Sequence, residues 1–442
     1  DIPATFQVLG SYAFENTGIT EFNIGAKFIY MGADPFLGCK LKKITSDNEN
    51  YVVEEDNTVY NADKTVLVYH PNGKDVKYDF SAITTANAFA GVTNKTELVL
   101  PEGMTEIPDK AFYGFVGLTK ITLPSTITKI GNNAFYGCTG LKEIVLPEGL
   151  TFIGDRAFAY SGLTSITLPE KITTMGKEAF RGSALESAVV NFPMIATSSV
   201  NQYNGYLQFA APKNAEKTTS YSVSSMALYM FADCVNLKSV TLGGGTNWIS
   251  EFMFMNTPAL TSFSFEGIKR IEKNAFQYGG LTEVVLPEDF NYYGEYAFSA
   301  SALKKIVVLG YTSNSVGTGA FMDCAELVYA DLGKQDQAGS KMFMNCTKLE
   351  TVKLSDNLER TLLDMFTNCT SIKKLYISLN TTFSYVSFNG LTEDQTIYFV
   401  GGDERDFASL EVKGDWLTGC KAQIKVIDDY PAEKDEIPAG NE

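Results

Sequence analysis

The sequence predicts a repeat solenoid, mainly β with short helical or irregular turns, built from about 15 coils of 22–23 residues. Three observations carry this. Phenylalanine recurs at Phe14, Phe36, Phe89, Phe112, Phe135, Phe158, Phe180, Phe231, Phe254, Phe276, Phe298, Phe321, Phe343, Phe366 and Phe388, and a period of 20–30 residues marks coils that cannot bury their apolar face alone. Between the rings one phrase returns, Leu-x-x-Ile-x-Leu-Pro and then Gly-x-x-Ala-Phe. Where the period breaks, it breaks by one repeat plus an insertion: 53 residues separate Phe36 from Phe89, and 51 separate Phe180 from Phe231.

At the start, Ile2-Pro3-Ala4-Thr5-Phe6 aligns with Leu123-Pro124-Ser125-Thr126-Ile127. The chain is expected to begin inside a repeat, at the end of a strand. Terminal coils need a polar cap, so a cap or domain upstream is expected to have been cut away. In the typical coil Leu118–Cys138, Ile121 and Leu123 point inward from a strand that Pro124 ends, having no N–H for the ladder. Ile127 and Ile130 face the core from the return stretch, Gly131 permits the bend, and Ala134 makes room for Phe135. Stacked at strand spacing, the coils would form a rod of roughly 70 Å with a sheet along one face and an aromatic spine inside.

Cys39, Cys138, Cys234, Cys324, Cys346 and Cys369 each lie three residues after a repeat phenylalanine, in a slot filled elsewhere by Thr17, Ser161, Ser183, Thr257 and Ser301. A slot that accepts Cys, Thr or Ser is small and buried, which reads as an inert thiol column. The alternative is one disulfide among the consecutive Cys324, Cys346 and Cys369, which would need unusual side-chain geometry. None of the spacings resembles a zinc site.

The insertions form two islands, at about 45–80 and 191–225, leaving at the same phase and therefore along one edge. The first reads as a hairpin from Tyr51-Val-Val, Thr58-Val-Tyr60 and Thr65 to Tyr69. The second is rich in Ser, Thr, Asn and Tyr. Five coils would separate them by roughly 24 Å. Between them the strand face presents Glu97, Val99, Lys120, Thr122, Glu143, Val145, Ser165 and Thr167. With Tyr203 and Tyr206 on the second island, these residues would line a binding trough; the alternative reading is that the islands are decoration on a solenoid edge. After Phe388 the register dissolves into a cap at about 391–427, with closing strands Ile397–Val400 and Ala422–Val426 and Trp416 as a lid. The solenoid thus spans 1–427, and 428–442 is an acidic mobile tail.

The formal charge of −16 argues against nucleic acid and anionic membrane surfaces as partners. No run approaches the ~20 apolar residues that span a bilayer, so no membrane insertion is expected within this chain. Chemistry is sparse. His70 is the one histidine, at a hairpin end. No nucleophile elbow, phosphate loop or dinucleotide fingerprint appears. Asp47, Glu49, Glu54, Glu55 and Asp56 lack the alternating spacing of a calcium loop and read as a solvated acidic edge. Glu97 and Glu143 fall within the separation of a glycosidase pair, but an open strand face would raise neither carboxyl selectively. No catalytic residue, metal or cofactor is expected.

The phrases LTKITLPSTITKIGNNAFYGC and LKEIVLPEGLTFIGDRAF, the island YVVEEDNTVYNADKTVLVYHPNGK and the Trp-containing cap resemble the BspA-like leucine-rich repeats of bacterial surface proteins. The resemblance implies an extracellular or cell-surface protein with no active site to transfer, and members of that family are associated with adhesion to host proteins and coaggregation. Three functions follow as expectations. An adhesin would bind a host or microbial protein through the strand face and islands. A glycan-binding module would use Tyr329, Tyr376, Tyr203 and Tyr206 as stacking platforms. A structural spacer would have no ligand site of its own. The coils Thr246-Asn-Trp248-Ile249 and Gly339-Ser-Lys-Met342-Phe343 depart from the repeat phrase.

Overall fold

The computed structural model of the chain describes residues 8–9, 13–28, 30–31, 35–36, 38–62, 67–69, 96–100, 102–194, 206–207, 223–224, 227–311, 317–336, 338–355, 358, 364–379, 381, 388, 391–401 and 420–429. It is a β-solenoid of about 13 turns. Two compact units share it, residues 1–192 with 201–234 and 240–244, and residues 193–200 with 235–239 and 245–442.

One coil explains the rest. The strand Leu118–Thr122 turns Leu118 and Ile121 inward, at 0% and 4% exposure. Leu123, expected inside, is only half-buried. The chain then turns at Pro124, whose carbonyl accepts Ile127 N–H, and returns through the short strand Lys129–Ile130. Ile127, Ile130, Ala134 and Phe135 are fully buried.

The closing turn is not helical, and its hydrogen bonds show why. The N–H groups of Asn133, Phe135 and Gly137 donate to Asp155, Ala157 and Ala159 of the next coil at 2.7–2.9 Å. Those of Ala134, Tyr136 and Cys138 donate backward within the turn, to Gly131, Asn133 and Phe135. A helix would spend every N–H inside its own coil; here every second one ties neighbours together. This alternation places the residues two before and two after the spine phenylalanine in the left-handed region, as at Asn133 and Gly137 (φ 54° and 69°) and at Arg156 and Tyr160 (φ 53° and 55°).

Gly131 has a different role from the one expected of it. A Cβ there would lie 2.5 Å from Asp109 N and 2.4 Å from Asp109 Oδ1. Glycine is required by the approach of the neighbouring coil, not by the bend.

In the first unit the spine rings Phe112, Phe135, Phe158, Phe180 and Phe231 stack at centroid distances of 5.1, 5.1, 5.2 and 5.8 Å. The return strands Glu106–Ile107, Lys129–Ile130, Phe152–Ile153 and Thr174–Met175 form a four-stranded parallel sheet. On the other face, Thr96–Val99 pairs with Leu118–Thr122, and Ser165–Leu168 with Ser187–Val190. The sheet expected along that face is interrupted, because residues 141–147 belong to no strand. Arg156 clasps Glu178 of the next coil through Nε and Nη2 at 2.8 and 3.1 Å, and this bond holds the Glu178 carboxyl below its ordinary range.

In the second unit, rings from Phe254 through Phe276, Phe298, Phe321 and Phe343 to Phe366 stack at 5.2–5.9 Å. Its strand face is a seven-stranded parallel sheet from Glu283–Leu286 to the closing strands Thr396–Val400 and Gln423–Ile427.

The six register cysteines are buried and free. Each donates its thiol to the carbonyl of the preceding coil's phenylalanine: Cys39 to Phe14, Cys138 to Phe112, Cys234 to Phe180, Cys324 to Phe298, Cys346 to Phe321 and Cys369 to Phe343, at 2.8–3.2 Å. Burial pushes the thiols of Cys234 and Cys324 up to about 11 and that of Cys369 to about 12. Thiolate chemistry is therefore suppressed. Titration of the native protein with a thiol reagent at pH 8 is expected to label at most the half-buried Cys420 within minutes, and all seven thiols after denaturation without reductant. A denatured count below seven would mean that a pair had oxidised.

Candidate binding face

In the first unit the eight candidate floor residues share the outer strand surface. Lys120 stands opposite Glu97 and Thr122 opposite Val99, in register; Thr167 stands opposite Val189 and Ser165 opposite Ser187. Glu143 and Val145 follow the same alternation although their segment is not a strand, with Ile144 and Leu146 buried between and after them. All eight side chains are exposed. Two columns result: Glu97, Lys120, Glu143 and Ser165, alternating in charge before ending in a hydroxyl, and Val99, Thr122, Val145 and Thr167, β-branched throughout. Val99 is 71% exposed and Val145 84%.

The first island is a three-stranded antiparallel meander, Tyr51–Val53, Val59–Asn61 and Leu67–Tyr69, as its phrase implied. It is locked to the coil beneath. Asn57 Oδ1 accepts Ile44 N–H at 2.7 Å, Asn57 Nδ2 donates to Lys42 O at 3.1 Å, and Asn48 Nδ2 donates to Phe28 O at 2.7 Å. Its tyrosines do not line a wall where they are described: Tyr60 is buried, and Tyr51 packs edge-on against Phe28. In the second island Tyr206–Leu207 pairs antiparallel with Val223–Ser224. Tyr203 and the Tyr206 side chain lie outside the described residues, as do His70 and Trp416.

Two glycan-platform candidates are misplaced by the sequence reading. Tyr329 and Tyr376 are 2% and 3% exposed. Strands of the second unit from Lys305–Val308 to Lys374–Ser378 are buried on both faces over most of their length. The Tyr329 ring lies between the ammonium groups of Lys305 and Lys353, 5.8 and 5.9 Å from its centroid, and Tyr376 stacks on Tyr398 at 4.6 Å. Alternation of inward and outward residues makes such positions look exposed, but that inference fails once the outer face is covered.

The acidic edge has local partners: Asp47 accepts from Asn23 Nδ2 at 2.7 Å, and Asp56 from Thr58 N–H at 2.8 Å. Among the described residues no group of three His, Cys, Asp or Glu side chains converges on a metal position. No helix among them is long and apolar enough to cross a membrane.

The BspA type leucine-rich repeat region matches residues 1–67, 81–198, 208–328 and 307–393, in 6 copies. Among solved structures, a leucine-rich repeat protein from Bacteroides ovatus superposes with a TM-score of 0.53 at 19% identity, covering 85% of this chain and 97% of that one. A leucine-rich cell surface protein from Faecalibacterium prausnitzii aligns with a TM-score of 0.28 at 16% identity, covering 97% and 87%. The pneumococcal vaccine antigen PcpA aligns with a TM-score of 0.37 at 17% identity, covering 85% and 99%. The first of these shows the shared fold. No curated protein matches the chain significantly.

Proposed function

Because the chain belongs to the BspA-type leucine-rich repeat family, we propose that it is a non-catalytic bacterial protein, secreted or held at the cell surface, that binds an extracellular protein through the strand face of its first unit and the adjoining islands. The observation that carries this is the exposure of Val99 and Val145, at 71% and 84%, on a surface backed by the buried Leu98, Ile144 and Leu146. Exposed β-branched residues there do nothing for the core. Flanked by Glu97, Lys120 and Glu143, they have the mixed apolar and charged character of a protein contact, whose standard size is about 800 Å² per partner.

An array of host matrix and microbial surface proteins tests it. Saturable capture is expected, reduced at least tenfold by Val99→Lys with Val145→Lys and by deletion of residues 191–225. The double variant should melt as the parent does, because exposed side chains contribute little to stability. Capture that survives both changes, or no capture by any protein, would overturn the reading.

A further inference from the structure

The coil at Trp248 and the two after it hold a cluster that the strand-face reading does not use. In the second unit the return strands Trp248–Ile249, Arg270–Ile271 and Tyr292–Tyr293 pair in parallel, with Trp248 opposite Arg270 and Arg270 opposite Tyr292. Their outward side chains stand in one column at strand spacing, about 4.8 Å. The Arg270 guanidinium lies over the Tyr292 ring, 4.0 Å from its centroid. Glu272 ties the group together. Its Oε1 accepts from Trp248 Nε1 at 2.8 Å and from Arg270 Nε and Nη2 at 3.2 and 3.0 Å, while Oε2 accepts nothing among the described residues. All four side chains are half-buried, so each is fixed in place with part of it reaching solvent.

The architecture does not ask for these residues. In the first unit the same outward place is filled by Glu106, Lys129, Phe152 and Thr174, with no pair of aromatic rings about a cation. Glu272 is the more unusual choice. Four residues before the spine phenylalanine, Gly131, Gly154, Gly176, Gly294 and Gly317 occupy a place where a Cβ would come within 2.0–2.6 Å of a neighbouring coil's backbone. The place is not always glycine, since Pro108, Ala227 and Ser250 fill it in other coils, but among the described coils only that of Phe276 puts a carboxylate there, and it grips the column. A charged side chain at a place otherwise held by uncharged residues, with its own set of bonds, is what a built site looks like.

Charge narrows the ligand. The cations along the column are already paired, Lys269 with Asp289 at 3.2 Å, Arg270 with Glu272 at 3.0 Å and Lys273 with Glu295 at 2.8 Å. An anion would find no unpaired cation among them. What remains is ring surface beside a carboxylate oxygen that accepts nothing among the described residues and outer guanidinium N–H groups. Rings with few rotatable bonds give contact area at small entropic cost, and a few fixed polar groups then set orientation. We propose that this column is a binding subsite for a neutral carbohydrate. The Trp248 ring takes the C–H face of a pyranose, Glu272 Oε2 accepts from its hydroxyls, and Arg270, held against Tyr292, donates to them.

Native affinity electrophoresis of the whole chain in gels containing mannan, galactomannan, soluble starch or mixed-linkage β-glucan tests the proposal. At least one polysaccharide is expected to retard the protein, with affinity falling at least tenfold in Trp248→Ala and in Glu272→Gln. The second variant keeps the shape of the side chain, and melting curves establish that both are folded. The chain has two tryptophans, so in a Trp416→Phe variant the emission of Trp248 should shift saturably with the same polysaccharide. Val99→Lys with Val145→Lys should leave retardation intact, which separates failure here from failure of the strand-face reading. No retardation by any neutral polysaccharide, retardation unchanged in both site variants, or retardation by acidic polysaccharides alone would overturn it.

Discussion

Phe158→Ala is expected to destabilise the protein by about 3–5 kcal/mol, the range for removing a buried ring. Phe158 is fully buried and lies between Phe135 and Phe180 at 5.1 and 5.2 Å, with planes inclined by 4° and 1°. Its N–H donates to Ala179 O at 2.8 Å, and Gly137 N–H donates to Ala159 O at 2.9 Å. The backbone around it is thus pinned to both neighbouring coils, so the cavity cannot collapse. Because stacked coils contact only their neighbours, the damage should be local. Hydrogen exchange is expected to show lost protection across about residues 130–185 and little change in the second unit. Phe158→Leu should recover most of the loss. A denaturant titration showing less than about 1 kcal/mol lost in Phe158→Ala would mean that the stacked rings are not the core of the coil.

Gly176→Ala fails by the opposite route and should be nearly as damaging, at or above the upper end of the ~1–3 kcal/mol usual for overpacking. A Cβ at 176 would lie 2.2 Å from Asp155 N, 2.3 Å from Gly154 C and 2.6 Å from Gly154 O. All three are backbone atoms and cannot rotate away. The clash falls beside the Gly176 N–H to Ile153 O bond of 2.7 Å, so relief means parting two coils. Gly103→Ala is the control: its φ is 91°, but nothing lies within 4 Å. It carries the strain of a left-handed alanine, about 1–2 kcal/mol, without the clash. If the two variants unfold at the same denaturant concentration, close approach is not what glycine serves at 176.

Much of this architecture was legible because the period is physical. A ring every 22–23 residues must stack on the next ring, and the structure places Phe112, Phe135, Phe158 and Phe180 in contact as that arithmetic requires. The meander at Tyr51–Tyr69 was legible from alternation and turn residues, and the closing strands from their apolar runs. The closing turn was not. The left-handed positions beside each phenylalanine hold Asn, Gly and Asp, but also Arg156, Tyr160, Glu178 and Phe252. Their conformation is imposed by bonds to the next coil, so residue type carries little of the signal.

For the candidate faces the division is sharper. Outward positions such as Val99 and Val145 follow from alternation alone, since a strand with one face in the core must turn its other residues away. Whether an outward residue stays in water depends on what else packs over the sheet, and Tyr329 and Tyr376 are buried for that reason. Trp248, Arg270, Glu272 and Tyr292 lie up to 44 residues apart in the chain, and only stacking brings them within bonding distance. The repeat phrase alone carries the period, the spine and most inward positions of the described coils, because burial depends on local pattern. Which side chains of different coils meet, and which outward residues are covered, is settled by stacking, because those contacts are made across coils, at distances that no single repeat encodes.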